Sequence, residues 1–578
     1  MKSSMNEYLG VYFVDAEFRQ PDGEIPEVHC LVYKTEGGLC RQLWTDYGVA
    51  MPAFLGDERN LIVCYSAAAE WQSFQALGWD VKCDVLDLWV VFRRLTNGLV
   101  QLNKTGQLDA LATFCVQGCC KGHKTQMREM AIRGGSFTDL EKRELMDYCQ
   151  QDVEDLEALH EKLLPYLDLP LDIFRSQYVI TLAEMQTRGI PTDAVTYNLL
   201  IENLDLIKKE LIERFDSQQM FENGHFRMGR FSDWLVRNRI PWPRTPKGRL
   251  ATDSATFLDR KGLHEVIADI GELHVILGKL RRFALPVGGD ARCRSSLRPF
   301  VTKTGRNAPS STKFPFGLPR WMRGVIVAPP GKALAYIDYS QQEIAVAAAL
   351  SGDDALKRSY LSGDPYLQFG IDAGLIPIGS TKETHGEERE VFKQVVLGVQ
   401  YGMGANTLSR TAGVTIVAAR ELLKHHRKTY PVYWSWANNA PISARYYGVI
   451  KSAFGWELQV SPDMRDSTLK NFPCQSNGAE ILRMACVMLR EAGFEMLCTV
   501  HDAILFEFDI DSLDAKVRAA REIMTRASRI VLDGFPVSTD VDIYMPGERF
   551  LPETGKAKEI WDLVTDILER SPTNDNDQ

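Results

Sequence analysis

Apolar and polar positions along the chain predict a mixed α/β start, a helical middle and a second α/β end. Near the start, Val11-Tyr-Phe-Val-Asp15-Ala-Glu17-Phe reads as a strand. Side chains alternate along a strand, so Asp15 and Glu17 point to one side. Leu61-Ile-Val-Cys-Tyr65 reads as a further strand running into Ser66-Ala-Ala-Ala-Glu70. Thr138, with Glu141 three residues on, caps a long amphipathic helix through Leu159, on which Tyr148 and Asp152 share a face. Beyond Leu164-Pro165 and Pro170, residues 172–290 are mainly helical in pattern. Met185 to Asp193 marks a helix stop and restart, and Thr245 to Ser254 a turn-rich insertion before another helix.

The second α/β region opens with the apolar run Ala333–Ile337, a buried strand that delivers Asp338 at its carboxyl end. Ile344 to Leu350 follows as a helix stopped at Ser351-Gly352. Read alone, Ser340-x-x-Glu343 is a capping box, and Glu343 would only tie off that helix. Arg389, Lys393, Leu397 and Tyr401 recur every four residues, a helical stripe about 18 Å long. Two cations at one end and an aromatic at the other could span a nucleotide from phosphates to base. Asn471-Phe-Pro-Cys-Gln475 places amides ahead of a helix. In Cys498-Thr-Val-His501-Asp502-Ala503-Ile-Leu-Phe, two apolar strand runs meet at His-Asp, and a hairpin with Asp502 at its tip would bring that acid against Asp338.

At 578 residues the chain is too long for one core, and three or four domains are expected. With 45% hydrophobic and 25% charged residues it has the composition of a soluble globular protein. No apolar run is long enough to span a bilayer, and Met1-Lys-Ser-Ser-Met-Asn lacks a signal-peptide core, so the expected location is the cytoplasm. Twelve cysteines without a regular framework fit reduced thiols. In the cluster Cys115, Cys119, Cys120 and His123, the residues Cys115, Cys119 and His123 would share one helical face, but without a fourth ligand or a paired Cys-x-x-Cys nearby core cysteines are favoured over zinc. A net charge of −9 excludes a chain coated in basic charge, yet from Lys279 to Arg323 eleven cations stand against a lone Asp290. That segment is either a solvated loop or a surface that tracks phosphates.

Three acids and a tyrosine from separated elements suggest a two-metal site for phosphodiester hydrolysis. The set resembles the DEDD-type 3′–5′ exonucleases in which Tyr-x-x-x-Asp closes the site. The resemblance implies Asp15, Glu17 and Asp152 as metal ligands and Tyr148 as the group orienting the attacking water. The middle motif of that family is Asn-x-x-x-Asp; here it is Ser66-x-x-x-Glu70, whose longer acid could still reach a metal, with Asp84 and Asp87 as weaker substitutes.

The later motifs, in order, are Thr304-Gly-Arg306, Asp338-Tyr-Ser-Gln-Gln-Glu343, Arg389-x3-Lys393-x7-Tyr401-Gly402, Asn471-x3-Gln475 and His501-Asp502. Together they resemble family A DNA polymerases, the bacterial polymerase I and phage replicase group, from about residue 170 onward. The implied fold is α/β and multidomain: an RNase H-like exonuclease domain (1–168), thumb and connecting helices (169–295), first part of the palm (296–350), fingers (351–455), and second part of the palm with the tail (456–578). No counterpart of the family's 5′-nuclease domain is recognised, so that activity is expected to be absent. The tail from Ser571 is expected to be disordered.

The same resemblance implies that Asp338 and Asp502, with the carbonyl of Tyr339, hold two magnesium ions, manganese being a possible substitute. Lys393 and Arg389 would neutralise the triphosphate, Lys393 also being a candidate proton donor to pyrophosphate. Glu343 would block a ribonucleotide's 2′-hydroxyl and anchor Tyr401 near the template base. Arg306 and Gln475 would read minor-groove acceptors shared by all correct pairs. Gln341, Gly402, Asn471 and His501 complete the implied contacts to primer-template DNA and dNTPs; a processivity partner cannot be read from the sequence. Three positions depart from the family pattern: Leu397 for an aromatic, Tyr366 for a histidine that touches phosphate, and Ala503 for the glutamate after His-Asp. Leu397 resembles a variant among viral members and points to phage or prophage replication. Two other readings stay open: a nuclease whose carboxy-terminal half only binds DNA, and a non-catalytic replication scaffold.

Overall fold

A computed structural model describes residues 2, 4–45, 48–99, 101, 104–116, 124–281 and 283–570. The first sheet has five strands in the order β3-β2-β1-β4-β5. Its centre is β1 (Val11–Arg19), flanked by antiparallel β2 (Glu27–Thr35) and β3 (Arg41–Trp44) on one side and by parallel β4 (Leu61–Cys64) and β5 (Asp84–Asp87) on the other. All four residues of β4 are buried, as expected of a parallel strand covered on both faces. The face carrying Val14, Ile62 and Cys64 packs under α1 (Ala67–Ala76). The face carrying Phe13, Leu61 and Val63 packs against Leu145, Cys149 and Val153 of α2 (Asp139–Leu163). Thr138 caps α2 as its sequence predicts, Oγ1 accepting from the Glu141 amide at 3.2 Å while Glu141 returns a bond to the Thr138 amide.

The buried helix α3 (Leu169–Arg188) links the two halves, and Gly189, at φ +70, ends it before Asp193 caps the next helix. The second sheet is wholly antiparallel in the order β7-β8-β6-β9: β6 (Lys332–Tyr339), β7 (Met496–Val500), β8 (Ala503–Asp509) and β9 (Thr539–Tyr544). Between β6 and β7 the chain makes a series of helices, among them α4 (Gln342–Ser351), α5 (Gly386–Gln400) and α6 (Asp466–Glu491). After β8 comes α7 (Leu513–Val531), whose buried Val517, Ala520, Met524 and Ala527 lie at helical spacing. Alternation in β6 turns the Tyr339 side chain away from the Asp338 face; its buried hydroxyl donates to the Met524 carbonyl at 2.7 Å. Among the described residues no helix is long and apolar enough to cross a membrane.

Two local expectations fail. Asn471 and Gln475 lie inside α6, not ahead of it, although Pro473 stands between them. Proline disfavours the helix locally, but Phe472, Cys474 and the whole of Ser476–Arg483 are buried, and tertiary packing overrides the breaker. The helical face proposed for Cys115 does not form: the helix ends at Thr113 and Cys115 is exposed at φ +56. Cys119, Cys120, His123 and the tail from Ser571 lie outside the described residues.

Two candidate active sites

The first site lies where β1, α1 and α2 meet. β1 carries Asp15 and Glu17 on one face just before a bulge at Glu17/Phe18, and α2 brings Asp152 over them. One carboxylate oxygen from each of Asp15, Glu17 and Asp152 lies within 4.8 Å of the others. Tyr148, one turn before Asp152, bonds its carboxylate, and burial, then Asp152, raise the phenol so that it stays protonated. Glu70 on α1 is 3% exposed, and its Oε2 has no hydrogen-bond partner. Burial, then the charge of Asp15, push its carboxyl well above the usual carboxylate range.

Ser66 does not line up as a side-chain cap; it sits at φ +76 and its amide donates to Asp87 Oδ1 at 2.9 Å. Asp87 Oδ2 accepts from the Ala67 amide, and Oδ1 also from Trp89, so this acid ties off two helix starts and is not a substitute for Glu70. Asp84 accepts instead from the Tyr8 hydroxyl at 2.8 Å. The acids open into a cleft of about 900 Å³ that Arg128 also lines. Sequence reasoning missed Arg128 and Cys149, whose buried thiol donates to Asp15 Oδ2 at 3.1 Å; neither belongs to a recognisable spacing.

The second site is built on β6 and the β7–β8 hairpin. Register pairs Ile337 with Ile504 and Asp338 with Ala503. Val500 pairs with Ala503, leaving His501 and Asp502 as the turn, with His501 at φ +57. The hairpin thus sets Asp502 beside Asp338, and the two carboxyl groups share a hydrogen bond. Asp338 is pushed up to about 7, by burial first, then by the charge and hydrogen bond of Asp502, then by Asp540. Burial raises Asp502 also. Asp338 Oδ1 is buried and has no partner. On the other flank Asp338 pairs with Asp540 of β9, which accepts from Ser340 Oγ at 2.6 Å. Spacing gave no sign of Asp540.

Glu343 is not a capping residue. The N-cap of α4 is Gln341, at φ +47 and with no side-chain cap, and Ser340 is engaged with Asp540. Glu343 Oε1 instead accepts from Arg306 Nη2 at 3.1 Å, and its carboxylate also bonds the Tyr401 hydroxyl. Tyr401 follows the end of α5, where Gly402 turns the chain at φ +69. Asp338, Asp502, Glu343, Arg306 and Tyr401 are therefore one cluster.

Arg389 and Lys393 form another group along α5. Arg389 Nε donates to Asp364 Oδ2 at 2.5 Å, and its guanidinium lies 5.2 Å over the ring of buried Tyr366. Lys393 Nζ is 4.0 Å from Glu390. No hydrogen bond or ion pair joins either cation to the Asp338 pair among the described residues. Leu397 packs half-buried against the core. Asn471 Oδ1 is buried without a partner, Gln475 is half-buried, and exposed His501 lines a 270 Å³ cavity together with Arg306. The basic segment 279–323 is partly neutralised: Arg292 pairs with Glu507, Arg294 with Asp290, and Lys313 with Asp22. It is not a continuous row of free cations.

An antiparallel sheet thus sets two aspartates side by side, one at a strand end and one at a hairpin tip. Residues 244–546 match the description DNA polymerase family A, and the chain belongs to that family. It is 28% identical over 436 residues to the thermostable DNA polymerase I of Thermus filiformis, covering 68% of this chain and 50% of that one. With the DNA polymerase of Mycobacterium phage D29 it shares 29% identity over 255 residues, 42% of this chain and 40% of the relative. The chain spans about half the length of the Thermus relatives it matches. The solved POL domain of Pol1 from M. smegmatis, in complex with DNA primer-template and dNTP, has the same fold: TM-score 0.69 at 18% identity, over 94% of this chain and 96% of that one.

Proposed function

We propose that this chain is a template-directed DNA polymerase that adds dNTPs to a primer 3′ end, and that residues 1–168 form a 3′–5′ exonuclease acting on the same strand. In this reading residues 169–295 are thumb and connecting helices, 296–350 and 456–578 the palm and tail, and 351–455 the fingers. The observation that carries it is the Asp338–Asp502 pair: two carboxyl groups set side by side by a strand and a hairpin tip, with one buried oxygen unpartnered, in a family A fold.

The donor set fits divalent cations. Two adjacent carboxyl groups, both raised by burial, beside the Tyr339 carbonyl, are a hard oxygen site suited to magnesium. The Asp15, Glu17 and Asp152 cluster, with Glu70 buried and half-unpartnered beside it, fits a pair of such ions equally. Bound there, magnesium would supply charge neutralisation and an activated oxygen nucleophile at each site. The protein's own groups do the rest. Arg389, released from Asp364, and Lys393 meet the triphosphate, and Lys393 is the candidate proton donor to the departing pyrophosphate. Tyr366, holding the Arg389 plane, replaces the family's histidine by stacking. Glu343 occupies the space a ribose 2′-hydroxyl would need and holds Tyr401. Arg306, Gln475, Asn471 and His501 face the duplex. In the amino-terminal site Tyr148 orients the attacking water. Leu397 and the likeness to a phage polymerase favour replication of a phage or prophage genome in the cytoplasm of its host.

The test is extension of a labelled primer on a template with dNTPs and Mg²⁺. Template-dictated lengthening is expected; shortening alone, at any dNTP concentration, would leave only the nuclease.

A further inference from the structure

Arg306 stands at the end of a tight loop whose shape is imposed from outside. The loop closes on itself through Arg306 N to Thr302 Oγ1 at 2.9 Å and Gly305 N to the Thr302 carbonyl at 3.0 Å. Three external donors then fix its carbonyls. Trp456 Nε1 donates to the Lys303 carbonyl at 3.1 Å, and Arg483 Nη1 to the Gly305 carbonyl at 2.8 Å. The third comes from the amino-terminal region. Asn97, one residue past the helix Leu88–Thr96, donates from Nδ2 to the same Lys303 carbonyl at 2.7 Å and to the Glu457 carbonyl at 2.6 Å.

Asn97 is 1% exposed, and both protons of its amide are used. Reversing the amide would turn Oδ1 toward two carbonyl oxygens, so this orientation is the one the site accepts. Its backbone is locked as well, its carbonyl accepting from Gln459 N at 2.9 Å. Neighbouring Arg94 donates to Glu457 Oε1 at 3.2 Å. Both lone pairs of the Lys303 carbonyl are therefore filled by buried donors from different parts of the chain, Asn97 and Trp456. Losing either leaves a buried acceptor half-satisfied and the loop free to shift. Gly305 permits the turn at φ +75, where a Cβ would come within 3.1 Å of the Trp456 indole.

We infer that Asn97, in the exonuclease-like region, is a positioning residue for Arg306: the amino-terminal region buttresses the loop that checks the newly formed base pair. This rests on the polymerase reading above. The amino-terminal region then serves synthesis accuracy in two separable ways, by excision and by holding the reader of the minor groove. Asn97 itself touches neither substrate.

The experiment measures kcat/KM for correct and incorrect dNTP insertion, all variants carrying Asp15→Ala so that 3′ degradation does not erase misinserted nucleotides. Asn97→Ala and Trp456→Phe, each removing one donor to Lys303, are expected to lower discrimination roughly tenfold, the size of one lost buried hydrogen bond. In an Arg306→Ala background the same changes are expected to add nothing further, because the group they position is gone. A general loss of stability would reduce correct and incorrect insertion alike, with or without Arg306. Unchanged discrimination, or effects additive with Arg306→Ala, would overturn the inference; should Asn97→Ala fail to fold, Trp456→Phe decides. If the parent chain extends no primer, it is the polymerase reading that fails.

Discussion

At the scale of single residues, the two acid sites differ in how they store charge. In the amino-terminal site burial favours the protonated forms of Tyr148 and Glu70, while Asp15, Glu17 and Asp152 converge. At the second site burial, then the charge of Asp502, raise Asp338 to about 7. A carboxyl whose folded value lies above its unfolded value contributes stability below the unfolded value and loses it as pH rises through the folded one. The metal-free protein should therefore lose stability from Asp338 between about pH 4 and pH 7. Magnesium must displace the proton from Asp338, so its affinity for the Asp338–Asp502 pair should rise with pH up to about 7, by as much as about tenfold per unit. Titration of nucleotide addition against Mg²⁺ at pH 6, 7 and 8 checks this, and a pH-independent affinity would speak against a raised Asp338. Glu343 offers a second residue-level outcome. Glu343→Ala frees both Arg306 and Tyr401 and opens the space beside the sugar, and ribonucleotide incorporation should rise at least about tenfold in single-turnover insertion. No change would mean that Glu343 does not meet the sugar.

At the scale of elements, β6 and the β7–β8 hairpin act as one device. Their register alone decides that Asp338 faces Ala503, and a slip of one residue would turn Asp338 to the helix side. Ala503→Glu would put a further carboxylate into a fully buried position across the ladder from Asp338. In chelator the variant should be destabilised by about 1–3 kcal/mol, and Mg²⁺ should recover most of the loss in thermal midpoint. An unchanged midpoint in chelator would place position 503 away from the acid pair. These elements were legible in the sequence because their signals are local: an apolar run ending in an acid, two strand runs meeting at His-Asp, a capping box at Thr138. Asn471 and Gln475 were misplaced because Pro473 is a local stop signal that burial of its neighbours outweighs. The Ser340-x-x-Glu343 box was a false signal of the same kind, since both residues bond groups that only the folded chain brings near.

At the scale of the whole molecule, the two halves are joined by buried charge. Asp172 on α3 is fully buried and accepts from Arg94 Nε at 3.2 Å and Nη2 at 3.1 Å, from Arg175 Nη1 at 2.7 Å and from the Asp168 amide at 2.9 Å. Glu480 and Arg483 on α6 continue the network, Ser452 donating to Glu480 at 2.7 Å. Asp172→Ala leaves buried Arg175 without its ion-pair partner and Arg94 with Glu457 alone, and should cost about 3–5 kcal/mol. Thermal unfolding reads this loss; a shift no larger than that of a surface substitution would show that water already relieves the site. None of these pairings was visible in the sequence. Arg94 and Asp172, or Asn97 and Lys303, have no spacing to reveal them, and their partners are set by how distant segments pack.

The most direct measurement follows one end-labelled primer on a template, with dNTPs and Mg²⁺, for two variants. Asp502→Ala should shorten the primer but never lengthen it, and Asp15→Ala should lengthen it without shortening. Extension by Asp502→Ala would contradict the assignment of synthesis to the paired aspartates Asp338 and Asp502.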